Sequence, residues 1–140
     1  MVHQDENFKM IQTARLIQQK RFQDVDTEWL QDLVLSMAKR EKREVLSRGK
    51  QLILHLLKWK YQPALRSTSW ESSILQQRME LDEIFVESSS LLNVFVQELE
   101  KIYRLAKTLA SVETHLPLQT FPLHCEWSVE ELLNQEFWPK

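Results

Sequence analysis

"VLSRGKQLILHLLKWKYQP", Val45–Pro63, is the stretch whose reading decides the fold. Projected at about 100° per residue, Val45, Leu46, Leu52, Ile53, Leu54, Leu56, Leu57, Trp59 and Tyr61 cover more than half of a helix circumference. That arc is wider than a surface helix needs, so the pattern predicts a central helix running to Gln62 and buried on most sides. Pro63 ends it, because proline has no amide hydrogen and restricts the residue before it. Gly49 lies inside the run and weakens a helix by about 1 kcal/mol relative to alanine. It therefore marks a kink or a close crossing by another helix. The polar positions left over, Glu41, Glu44, Arg48, Gln51, His55, Lys58 and Gln62, fall in one narrow wedge.

Upstream of this helix, Leu30, Leu33, Val34 and Met37 form a second apolar stripe, capped by Asp26 or Thr27. That helix stops, bends or runs on into the central one. A first helix begins at Asn7 as cap, carries Phe8, Ile11, Ala14 and Ile17 on one side, and ends near Arg21. Downstream, Thr68 and Glu71 have the spacing of a capping box, with Ile74, Leu75, Leu81, Ile84 and Phe85 as the apolar side of the helix they open. The clearest helix follows, where Leu92, Phe95, Val96, Leu99, Ile102, Tyr103, Ala106, Leu109 and Val112 keep to one face behind a serine cap. The tail "HLPLQTFPLHCEW" has two prolines and no helical period. It reads as an extended segment fixed by Leu118, Phe121 and Leu123. Ser128 and Glu131 then box a short last helix through Leu132 and Leu133, reaching Phe137.

The totals agree with an all-α fold. Gly49 is the single glycine of 140 residues, where average usage of about 7% would give roughly ten. Strand-rich folds and phosphate-binding loops both need glycine for positive φ or close backbone approach. We expect one domain over 1–140, a compact bundle of about six helices with no sheet. With 43% hydrophobic and 27% charged residues and a net charge of −2, the chain has the composition of a globular protein and no bulk attraction to nucleic acid or an acidic membrane. One cysteine, Cys125, leaves no internal disulfide. The acids of "MVHQDENFKM" do not suit a secretory signal, and no apolar run is long enough to cross a membrane. The expected location is the cytoplasm, with no membrane contact and no cofactor.

"HLLKWKYQP" followed by "RSTSW" resembles the domain of unknown function 29 family, small bacterial helical proteins. The likeness extends to "SMAKREKRE", to "QQR" at Gln76–Arg78 and to "ETHLPLQTFPLHCEWSVEELL", nearly the whole chain. It implies an all-helical fold and assigns no activity. The family pattern is rich in glutamates just before Ser36 and Met37, whereas here only Asp32 is acidic and Leu33 and Leu35 are apolar. Its glycine and serine after the methionine are Ala38 and Arg40 here, which removes a stop and a cap between the second and third helices. Chemistry carried by those acids would be lost in this chain.

The candidate site is the polar wedge itself. It is either the solvated side of a buried helix, or it faces a groove lined by Arg66 and Trp70, with Arg48, Gln51, His55, Lys58 and Gln62 as binding residues. On the second view the protein is an interaction module for a protein partner, or for RNA or DNA stacking on Trp59 and Trp70. Lys39, Arg40, Lys42 and Arg43 could add phosphate contacts, though Glu41 and Glu44 interrupt them and favour helical ion pairs. The rival view is a metal-independent ribonuclease. Arg48 and His55 have the arginine-to-histidine spacing of HEPN enzymes, with histidine as general acid or base and arginine as phosphate binder. That spacing has low specificity in a chain with four histidines. No metal site is expected, because His124 and Cys125 are neighbours that point apart in an extended segment and His115 and Glu113 add no second close pair.

Overall fold

The computed structural model describes residues 5–140; Met1–Gln4, part of the N-terminal stretch weighed above, lie outside the described residues. The described residues form five α-helices, three short 3-10 turns and no strand. Two compact units are distinguished, Met1–Arg40 and Glu41–Lys140, and each is treated by itself.

In the first unit, helix α1 spans Glu6–Gln18. Asp5 caps it rather than Asn7, its carboxylate accepting the Asn7 amide at 3.0 Å. The helix also stops earlier than Arg21. Lys20 takes a positive φ of 60°, and the Arg21 amide reaches back to the Leu16 carbonyl at 2.8 Å, the closing bond of a Schellman turn. After a 3-10 turn at Phe22–Asp24, Asp26 caps the next helix by accepting the Trp29 amide at 3.1 Å. Lys9 holds the Asp26 carboxylate at 3.1 Å and lies 4.7 Å over the Trp29 ring. Phe8, Ile11, Ile17, Phe22, Val34, Leu35 and Met37 remain exposed, so the apolar stripes read from the sequence are only partly covered here.

Helix α2 runs without interruption from Thr27 to Tyr61, 35 residues, about 52 Å at 1.5 Å per residue. Of the three alternatives at the end of the second helix, it runs on into the central one, which is why five helices rather than about six are found among the described residues. Alanine and arginine are both strong helix formers, and neither supplies the stop a glycine would.

In the second unit the α2 segment from Val45 is the centre of the core. Val45, Leu52, Ile53, Leu54, Leu56 and Leu57 are all buried, with Trp59 and Tyr61 half-buried against them. The helix stops one residue before Gln62, which opens a 3-10 turn at Pro63–Leu65. Helix α3, Thr68–Glu87, is capped by Ser67, which accepts the Trp70 amide at 3.2 Å. The cap therefore falls one residue earlier than Thr68, and no capping box with Glu71 forms. Helix α4, Ser89–Thr114, buries Phe95, Ile102, Tyr103, Ala106 and Ala110, the face its period predicted. It ends at His115, whose φ of 60° reverses the chain.

The tail contains a 3-10 turn at Leu118–Thr120. Phe121 anchors it, buried and edge-on to Tyr61 at 5.0 Å between ring centroids. Leu118 and Leu123 do not; they are 41% and 74% exposed, and half-buried Leu116 packs on the core instead. Helix α5, Val129–Leu133, opens with the predicted capping box of Ser128 and Glu131. Phe137 lies beyond it, half-buried against the core.

Candidate functional site

The wedge of α2 that would otherwise be solvated is mostly half-buried, and Glu44, Arg48 and Lys58 find charged partners within the second unit. Arg48 donates from Nε to Glu44 Oε1 at 3.0 Å and from Nη1 to Gln77 Oε1 at 3.2 Å. Its Nη2 lies 3.9 Å from Glu80 Oε2. These groups border a shallow hollow of about 350 Å³ lined by Glu44, Ser47, Arg48, Gln51 and Gln77. His55 is not among the lining residues.

His55 places Nδ1 2.8 Å from the Gln51 carbonyl. A carbonyl only accepts, so Nδ1 carries the hydrogen and Nε2 is the ring's other polar atom. Arg48 and His55 do share a helix face, seven residues or about 10 Å apart along the axis. Helical side chains lean toward the N-terminus, and Arg48 follows that lean onto Glu44, away from His55. Their partners have no atom in common.

Near the C-terminal end of α2 a different set gathers. Lys58 Nζ donates to Glu113 Oε1 at 3.0 Å and lies 5.0 Å over the Trp70 ring. Arg66, exposed in the following loop, donates from Nε to the Trp59 carbonyl at 2.8 Å. Its guanidinium stacks 4.9 Å over the Trp59 ring, and that ring in turn meets Trp138 at 4.7 Å. One bond and one stack thus fix the plane of Arg66. Its two terminal nitrogens meet no acceptor among the described residues. Gln62 stays half-buried at the turn. Lys60 is engaged too: its ion pair with Glu126, at 3.1 Å, holds the ammonium pKa above the usual lysine range.

Arg78, the last residue of the Gln76–Arg78 motif, is the largest fully buried side chain of the second unit. It donates from Nε to the Leu132 carbonyl at 2.7 Å and from Nη2 to the Glu131 carbonyl at 3.3 Å, and faces Trp138 at 5.6 Å. Burial pulls its pKa down to about 10, so it is charged at neutral pH. Its position was signalled by spacing, since Ile74, Arg78, Leu81 and Phe85 share one buried face of α3. Lys107 follows the same rule on α4, buried with its ammonium 5.6 Å over the Tyr103 ring.

Among the described residues no group of three histidine, cysteine, aspartate or glutamate side chains is placed to hold a metal ion. No described helix is long and apolar enough to cross a membrane. The Cys125 thiol is half-buried, and burial pushes its pKa up, away from the reactive range.

These features define an all-helical protein whose second unit is built around the buried part of α2, with a polar seam and a stacked arginine at its end. The chain belongs to the family described as Domain of unknown function DUF29, which matches residues 3–138. Neither the curated proteins nor the solved structures give a match to it.

Proposed function

We propose that the protein is a small interaction module that holds a carboxylate of a partner protein at the C-terminal end of the α2 seam, with Arg66 as the anchor and Trp59, Lys58 and Trp70 beside it. The observation that carries this is the fixed, unpaired fork of Arg66. A guanidinium held flat by stacking, with Nε already bonded, loses little freedom when its terminal nitrogens take a carboxylate. Elsewhere on the seam Arg48 and Lys58 are committed to glutamates. At this end of α2, among the described residues, Arg66 is the one cation left without an acidic partner, and one cation suits an acidic side chain better than a nucleic-acid backbone, whose binding grows with the number of phosphates neutralised. Arg48, Gln51, His55 and Gln62 then form the polar wall behind the anchor. No specific observation favours the ribonuclease alternative over this.

The test is titration with a library of short peptides rich in glutamate, followed by tryptophan fluorescence. The expected result is saturable binding that weakens about tenfold in Arg66→Ala, the size of one charged hydrogen bond, and only partly recovers in Arg66→Lys. Equal binding by wild type and Arg66→Ala would overturn the assignment. Cleavage of RNA in the presence of a chelator, abolished in His55→Ala with the fold intact, would replace it with the ribonuclease.

A further inference from the structure

Helix α2 carries a second face, independent of the Arg66 end, whose charges do not suit the chain that bears them. From Gln31 to Glu44 every residue is exposed except half-buried Leu33. A helix segment of that length is marginal when nothing packs on it. At about 100° per residue, Glu28, Asp32, Leu35, Lys39 and Arg43 line up along one side, spaced by four, three, four and four positions. All five are exposed. Glu28 and Asp32 are like charges at the i,i+4 spacing, and so are Lys39 and Arg43, an arrangement that destabilises a lone helix. None of the four has an ion-pair partner among the described residues.

The order along the face is acid, acid, leucine, base, base. It is antisymmetric about the point between Leu35 and Ser36. A second copy of the same helix, laid antiparallel across that point, sets Glu28 against Arg43 and Asp32 against Lys39, and the two-fold axis repeats both pairs. Leu35 of each copy then meets near the axis, with exposed Val34 and the small Ala38 on the adjoining side. In antiparallel helix pairs, flanking positions on the same side of the seam face each other, so one charged flank per helix is enough. Closed two-fold contacts need this kind of self-complementary patch.

We propose that the protein forms an antiparallel two-fold dimer through the Glu28–Arg43 face of α2, its partner being a second copy of the chain. One helix face is a small interface, at the low end of the range for specific association. The dimer is therefore weak and is loosened by salt that screens its four ion pairs.

The experiment is sedimentation equilibrium from about 5 to 500 µM in low salt, with circular dichroism to confirm helix content. Wild type is expected to dimerise, and about 0.5 M salt to shift it toward monomer. The double variant Glu28→Lys/Asp32→Lys makes the face wholly basic, and Lys39→Glu/Arg43→Glu makes it wholly acidic. Each is expected to be monomeric alone, and an equimolar mixture of the two to form a heterodimer at least as tight as wild type. Monomeric wild type over the whole range would overturn the proposal and leave the face to a different partner. Dimerisation of either double variant alone, or no association in the mixture, would overturn it equally.

Discussion

Phe95 of α4 occupies the space that a side chain on Gly49 of α2 would need: a Cβ built at Gly49 would stand 2.6 Å from the Phe95 Cε1 atom. The glycine thus sits where the Phe95 ring of α4, with Ile102 beside it, packs directly on the α2 backbone. Phe95 cannot swing away freely, because it is fully buried and packed on Phe85 at 5.5 Å. Gly49→Ala gains about 1 kcal/mol of helix propensity and loses about 1–3 kcal/mol to overpacking. We expect net destabilisation of up to about 2 kcal/mol in urea unfolding. Phe95→Leu in the same chain should relieve it, so that the pair of changes costs less than their sum.

Arg78 ties α3 to the end of α5 through two carbonyls while its Nη1 has no partner among the described residues. Arg78→Ala leaves both carbonyls without their donor and opens a cavity, at a cost of about 3–5 kcal/mol. Arg78→Met fills the space and removes a buried charge, so it should lose less. Hydrogen exchange would separate this from general loosening. In Arg78→Ala, amides of Val129–Leu133 should exchange faster at a denaturant concentration where the α2 core is still protected.

The core and the seam were legible in sequence for different reasons. Val45–Tyr61 declared itself because nine apolar side chains in 17 positions leave only one arrangement, a helix enclosed by others. The seam was visible as a stripe, but its meaning was not. Whether Arg48 faces His55 or Glu44 depends on side-chain lean and on Gln77 and Glu80, which come from α3. The buried Arg78 obeys the same periodicity as its apolar neighbours, but charge usually marks a surface, so periodicity alone does not reveal it. Sequence places helix ends one to three residues off where an equally good cap stands nearby, Asp5 for Asn7 and Ser67 for Thr68, and where Lys20, not a glycine, closes α1. Lys20 and His115 take the left-handed conformation that glycine normally supplies, in a chain whose single glycine is committed to the Phe95 crossing.

That use of His115 makes a simple prediction. It is exposed, ends α4 at φ 60°, and pays the steric penalty of a Cβ there. His115→Gly should stabilise the protein by about 0.5–1 kcal/mol, and His115→Asn by less. With a chain of this size, 1 kcal/mol corresponds to a rise in Tm of about 3–4 °C. A fall in Tm for the glycine variant would show that the imidazole contributes more than the backbone conformation costs.

Asp26 should set an acid limit on the start of α2. The Trp29 amide, and after it Lys9, hold its carboxyl below the ordinary value of 3.8. The folded-state pKa is depressed, so the cap's contribution is present above 3.8 and is lost as pH falls through the folded value. Local exchange of the Trp29 and Leu30 amides should therefore accelerate below about pH 3.8 in wild type. In Asp26→Ala the same amides should exchange quickly at neutral pH and show no such step.

Tyr103 should set the corresponding alkaline limit for the tail. Its ring is buried in the core, and its hydroxyl donates to the Pro122 carbonyl, next to the Phe121 anchor. Burial above all, then the negative charge that Cys125 and nearby groups carry at high pH, raise the phenol above its ordinary value of 10.0. For an acid whose folded pKa is raised, the unfolded chain releases its proton first. The stabilisation is present in full below pH 10.0 and is lost as pH climbs toward the higher folded value. Tyr103→Phe removes the hydrogen bond and should cost about 1 kcal/mol at neutral pH, but it also removes this ionisation. The stability difference between wild type and Tyr103→Phe should therefore narrow as pH rises past 10, and then reverse. Parallel curves for the two proteins across that range would mean that the hydroxyl reaches solvent and that the Pro122 contact does not hold the tail.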